Sequence, residues 1–154
     1  MDITRHAGQA PLWRDLASRL LNQTAILVGR VVNEALAKEG THRYQLAVLA
    51  TLDAFGAVSQ AELCRRTTID RSDMNAVVNA LETDGIVTRL SDPADRRQNI
   101  VELTDAGRAR FERLKTGLTE AENRALAPLT PADRMELLRL LRILHDHHAA
   151  PPPT

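Results

Sequence analysis

Two adjacent arginines, Arg96 and Arg97, stand among carboxylates in the stretch SDPADRRQNIVELTD, residues 91–105. An alternating segment, GIVTRL, leads into it and a second, NIVELT, leads out, the pattern of two strands joined by a short connection. Between them lies no apolar residue larger than alanine or proline. Two guanidinium groups at a hairpin tip are chemistry for an anion. Asp92 and Asp95 would hold one guanidinium by paired charge-assisted hydrogen bonds, so that it is presented in order, and Pro93 would stiffen the loop. One arginine reaching outward and the other braced internally is the expected division, and which is which stays open.

The segment just before this hairpin, RSDMNAVVNALETD, carries a second kind of chemistry. Wound as a helix at about 100° per residue, it places Met74, Val77, Val78 and Leu81 on one side, at i, i+3, i+4 and i+7. The opposite side is Ser72, Asn75, Ala76, Asn79 and Thr83, all small and uncharged. Solvated helix faces normally carry Lys, Glu and Arg, which favour helix and solubility. A face without carboxylates, able to approach closely and to hydrogen-bond, suits a DNA major groove. There Asn pairs bidentately with adenine, Ser with several base edges, and Ala touches a thymine methyl. Read alone, such a face fits an uncharged polar surface equally well. The hairpin beside it tips the balance, because a narrow minor groove concentrates negative potential and attracts arginine. Helix plus hairpin is a winged helix-turn-helix. Ser72, Asn75 and Asn79 are the candidate base readers, with Arg71 flanking them; Arg65 and Arg66 are the candidate phosphate contacts, and Arg96 and Arg97 the groove contacts of the wing.

The elements that must position these residues follow from periodicity and end signals. A long helix is expected from about Leu12 to Lys38, closed by Gly40. A second, HRYQLAVLATLDAF, would be capped by Thr41 and stopped by Gly56. Ser59 and Glu62 form a Ser-x-x-Glu capping box for a short third helix, QAELCRRT. Asp70 and Asp73 repeat that arrangement for the fourth, which Gly85 closes. After the hairpin, Thr104 starts a fifth helix, and Thr130, Pro131 and Asp133 start a sixth that runs through MELLRLLRILHDHH. The fold class is therefore mainly α: six helices plus a β-hairpin wing, in a single domain of residues 1–154. The DNA-binding lobe is expected over 41–104, dimerisation helices over 11–40 and 105–148, and a disordered tail over 149–154. Association with a second copy is expected because Met135, Leu137, Leu138, Leu140, Leu141, Ile143 and Leu144 cover too wide an arc for one neighbour.

Composition limits the alternatives. Hydrophobic residues make up 44% of 154 and aromatics 3%, so the core must be mostly aliphatic. Twenty basic residues balance 20 acidic ones, so polyanion binding has to come from a local arrangement of charge. One cysteine excludes an internal disulfide and fits a reducing cytoplasm. No signal pattern and no membrane-spanning apolar run appears, and a membrane partner is not expected. Cys64 reads as a buried, inert thiol. Of His145, His147 and His148 only the first and last share a helix face, so no metal is expected, and His42 and His6 stand too far off to help. Trp13 suits either a ligand cleft or an interface. No hydrolase elbow, phosphate loop or zinc spacing is present, so an enzyme is not expected, nor any cofactor.

Residues 81–108, LETDGIVTRLSDPADRRQNIVELTDAGR, resemble the signature of the MarR (multiple antibiotic resistance regulator) family of bacterial transcription factors. The matching elements are Leu-Glu-x-x-Gly-x-Val, Arg89, Asp-Pro-x-Asp-Arg-Arg and Leu-Thr-x-x-Gly, and the helix order agrees over roughly residues 15–146. The resemblance implies an obligate homodimer built from the terminal helices, each subunit presenting a winged helix to half of a palindromic operator. It further implies a repressor released from DNA by a small-molecule effector; the residues that would bind that effector are not readable. Members often carry a basic or larger polar residue where Ala76 stands, so Asn75, Asn79, Ser72 and Arg71 would carry more of the readout here. Two other readings stay open: a winged-helix module that binds protein, and a constitutive DNA binder without a ligand.

Overall fold

In a computed structural model of the chain, the described residues are 13, 15–91 and 99–149. They form helices α1 (Ala17–Lys38), α2 (Arg43–Phe55), α3 (Gln60–Thr67), α4 (Arg71–Thr83), α5 (Asp105–Ala125) and α6 (Pro131–Ala149), with strands β1 (Val58–Ser59), β2 (Val87–Ser91) and β3 (Asn99–Leu103). The wing residues Asp92, Pro93, Asp95, Arg96 and Arg97 lie outside the described residues, as do 150–154 of the expected tail; Ala149, expected to open that tail, is instead the last residue of α6.

Local chemistry accounts for most of the boundaries. Gly40 at φ +60° reverses the chain after α1, its N–H bonding the Ala37 carbonyl while Thr41 N–H bonds that of Leu36. This closure occupies Thr41, which is buried and donates its hydroxyl to the Glu39 carbonyl at 3.3 Å. The N-cap of α2 is accordingly His42, one residue later than expected, with the Gln45 side chain accepting the His42 N–H at 3.3 Å. Ser59 caps α3 by accepting from Glu62 N–H at 3.2 Å, and Thr104 caps α5 by accepting from Gly107 N–H at 3.0 Å. At α6 the box is complete: Thr130 Oγ1 accepts from Asp133 N–H at 3.2 Å, and the Asp133 carboxylate accepts from Thr130 N–H at 3.3 Å.

The sheet has three strands in the order β1-β3-β2, all antiparallel. Leu90 faces Ile100 and Val87 faces Leu103, while Val58 and Ser59 add a short third strand opposite Val101 and Ile100. That third strand is additional to the expected hairpin. One aliphatic core joins Leu36 of α1, Val48, Leu49 and Leu52 of α2, Leu63 of α3, Met74, Val78 and Leu81 of α4, Val101 of β3, and Leu114 of α5. Helix α6 contributes nothing to it and buries none of its residues; Met135, Leu138, Ile143 and Leu144 are all exposed.

Candidate nucleic-acid interface

Helices α3 and α4 meet at a turn in which Thr68 takes the left-handed conformation, φ +56°. Asp70 then caps α4, its carboxylate accepting from Ser72 N–H at 2.8 Å and Asp73 N–H at 2.9 Å. Those hydrogen bonds, that from Asp73 N–H foremost, hold the Asp70 carboxyl below the usual aspartate range. The buried side of α4 is Met74, Val77, Val78 and Leu81, as the spacing requires. Ser72, Asn75, Ala76, Asn79 and Thr83 are all exposed, and Arg71 is exposed beside them.

The exposed side borders an open groove of about 930 Å³, lined by Ser59, Gln60, Ala61 and Cys64 from the α3 side, Arg71, Ser72 and Asn75 from α4, and Asn99 from β3. Among these lining residues only Arg71 carries a formal charge. Gln60 and Asn99 are not among the residues expected there. Gln60 donates its side-chain amide to Asn75 Oδ1 at 3.5 Å. Nothing local in the sequence marks Gln60, because its place beside Asn75 arises from the packing of α3 on α4. Cys64 packs against the core as expected, but it is half-buried and lines the groove instead of lying fully inside.

Arg65 and Arg66 are on the same lobe, and both are engaged. Glu62 accepts from Arg65 Nε at 2.8 Å and Nη2 at 2.5 Å, and from Arg66 Nε at 2.6 Å. These cations, Arg65 first, hold the Glu62 carboxyl down at about 2. Expected to reach back to its helix start, the Glu62 side chain is instead taken up by the two arginines. Arg66 also lies 3.8 Å over the Phe55 ring.

Four contacts fix the lobe around α4. Arg89 of β2 pairs with Glu82 of α4 at 2.5 Å. The Thr104 hydroxyl donates to the Gly85 carbonyl at 2.7 Å, just past the end of α4. Gly107 packs so closely on the next residue, Ile86, that a Cβ at position 107 would collide with the Ile86 carbonyl oxygen. Arg110 of α5, mostly buried, donates to the Glu39 and Gly40 carbonyls at 2.7 and 2.6 Å and lies 3.8 Å from Asp84. It thereby joins the end of α1 to the end of α4. The described part of this surface is a rigidly mounted, uncharged hydrogen-bonding face with cations at its edges, suited to a polyanion with readable edges.

Comparison with known proteins agrees. Residues 40–98 match the MarR family model. The transcriptional repressor Mb2911 of Mycobacterium bovis is 30% identical over 90% of this chain and 96% of its own length. The transcriptional repressor NicR of Pseudomonas putida is 32% identical over 66% of this chain, which spans 65% of that relative. Among solved structures, the transcriptional repressor CouR bound to a 23-mer DNA duplex superposes with a TM-score of 0.81 at 30% identity, covering 88% of this chain and 96% of CouR. BpsR of Bordetella bronchiseptica, whose DNA binding is regulated by 6-hydroxynicotinic acid, superposes at 0.77 and 26% identity, covering 87% and 96%. The chain belongs to the MarR family of winged helix-turn-helix, DNA-binding transcriptional regulators. No helix among the described residues is long and apolar enough to cross a membrane.

Proposed function

We propose that this protein is a homodimeric cytoplasmic repressor that binds a palindromic operator and leaves it when a small molecule binds. It acts by binding and not by catalysis. The exposed face of α4, free of carboxylates and bordered by Arg71, carries the reading. Residues 41–104 serve as the DNA-binding lobe; 11–40 and 105–148 bring two copies together. Each α4 enters a major groove, the pair about one duplex turn, roughly 34 Å, apart. Ser72, Asn75 and Asn79 read base edges, Arg71 and Arg65 meet phosphates, and Arg96 or Arg97 lies in the groove beside the wing, with Asp92 and Asp95 as its brace. Arg66, stacked on Phe55, orders this edge more than it reaches from it. The apolar faces of α1 and α6 support the dimer, and the DNA-bound CouR and ligand-regulated BpsR support operator binding and release.

Fluorescence anisotropy on a duplex from the gene's own upstream region, beside a scrambled duplex and at two salt concentrations, tests the reading. A preference of about a thousandfold, with affinity falling steeply in salt, is the expected result. Asn75→Ala or Asn79→Ala should change the preference among sequences. Alanine at the groove-bound wing arginine should weaken every duplex and lower the salt slope by about one. Equal losses on every sequence from all of these variants would overturn the division of labour.

A further inference from the structure

A cation meant for a phosphate is of little use if a carboxylate already holds it, and α3 presents that situation. Glu62 engages both guanidinium groups of the lobe's edge, Arg65 through two hydrogen bonds of 2.8 and 2.5 Å and Arg66 through one of 2.6 Å. The three residues differ in freedom. The Arg65 side chain is 69% exposed, whereas those of Arg66 and Glu62 are 31% and 26% exposed. Arg66 is further pinned by the Phe55 ring beneath it at 3.8 Å. Arg65 can therefore swing away to an incoming anion while Arg66 stays and keeps the Glu62 charge paired. The Glu62 main chain is tied by its N–H to Ser59 Oγ at 3.2 Å, and its carboxylate is held by Arg66 Nε at 2.6 Å.

We propose that Glu62 is an internal competitor for DNA phosphate: it holds Arg65 in the free protein, and binding of any duplex must displace it. This rests on the DNA-binding reading above. The carboxylate then lowers affinity for duplexes of every sequence. It also makes binding less salt-dependent than the number of nearby arginines suggests, because an arginine leaving one anion for another gains less than a free one.

Anisotropy of the wild type, E62Q, R65Q and the E62Q/R65Q double variant against operator and scrambled duplexes at several salt concentrations tests this. E62Q should bind both duplexes about fivefold more tightly per subunit, the size of an exposed ion pair, with a salt slope steeper by about one per subunit. R65Q should cost more in the E62Q background than in the wild type. Thermal melting reports whether E62Q folds, and E62M, which keeps the length without the hydrogen bonds, should give the same ordering. If the wild type binds DNA and E62Q binds no better or more weakly, Glu62 orders Arg65 and does not compete, and the inference fails alone. If the wild type binds no duplex, the DNA-binding reading fails and takes this inference with it.

Discussion

Two exposed helix faces of this chain differ in chemistry, and the difference separates two kinds of partner. The outer side of α4 is Ser72, Asn75, Ala76, Asn79 and Thr83, small and uncharged. That of α6 includes Met135, 70% exposed, with Leu138, Leu140, Leu141, Ile143 and Leu144. An apolar surface of that breadth has no reason to remain in water and calls for an equally apolar partner. The α4 face calls for something polar at short range, since its hydrogen-bonding groups sit close to the backbone. Helix α5 supplies the contrast. Its exposed residues include Arg108, Glu112 and Lys115, with Lys115 paired to Glu112 at 2.5 Å, an ordinary solvated face. Neither the α4 nor the α6 face is of that ordinary kind.

The largest effect comes from attacking the α6 face. L138E together with L141E should turn a dimer into a monomer by sedimentation, and operator affinity should fall by a factor of about a hundred to ten thousand. That is the gain lost when two linked half-site contacts become one. The winged lobe should keep its fold, because no α6 residue is buried in the single chain. A double variant that stays dimeric would assign the apolar face to some other partner and break the comparison.

A smaller effect sharpens it from within α4. Leu81 is fully buried and Asn79, two residues earlier, is exposed. Leu81→Ala should cost about 2–5 kcal/mol in urea unfolding through the cavity it leaves. Asn79→Ala should change stability by no more than about 0.5 kcal/mol. The order should reverse in sequence preference at equal fractions folded: Asn79→Ala alters which duplex is preferred and Leu81→Ala does not. A stability loss at Asn79 comparable with that at Leu81 would mean that its face packs on something in the protein itself.

Much of this arrangement is legible in the amino-acid sequence. The two sides of α4, the caps at Ser59, Asp70, Thr104 and Thr130, and the glycine turns at positions 40, 56 and 85 are local features, and the chain obeys them. Strand β1 is not legible, because two residues carry no alternation and its pairing with β3 spans more than 40 positions. The same holds for Arg110, whose carbonyl partners lie 70 and 71 residues away. The Glu62 cluster is a different case. Its spacings are i,i+3 and i,i+4, the standard reach of helical ion pairs, and the sequence shows them plainly. The same residues mislead because Ser59-x-x-Glu62 also spells a capping box, and two nearby guanidiniums attract a carboxylate more strongly than one backbone N–H. Thr41 is a similar conflict, a residue suited to capping α2 that the closure of α1 claims first.

The smallest effect concerns pH, and it distinguishes a fixed competitor from a switch. The Glu62 carboxyl is depressed from 4.5 to about 2, chiefly by its hydrogen bonds from Arg65. A carboxyl whose folded value lies below its unfolded one stabilises the fold fully above the unfolded value, and that contribution disappears as pH falls from about 4.5 toward 2. Across the neutral range the group is therefore ionised throughout. The difference between wild type and E62Q, in melting temperature and in duplex affinity, should be flat from about pH 5.5 to pH 8. On the acid limb of a pH-stability curve that difference should shrink, with wild type losing stability more steeply below about pH 4.5. An affinity difference that changed within the neutral range would place a titrating group among Glu62, Arg65 and Arg66, which no histidine of the described fold supplies: His42 sits at the start of α2 beside Tyr44, and His145, His147 and His148 are on α6. Restraint by Glu62 is thus a constant of the surface and not a pH switch.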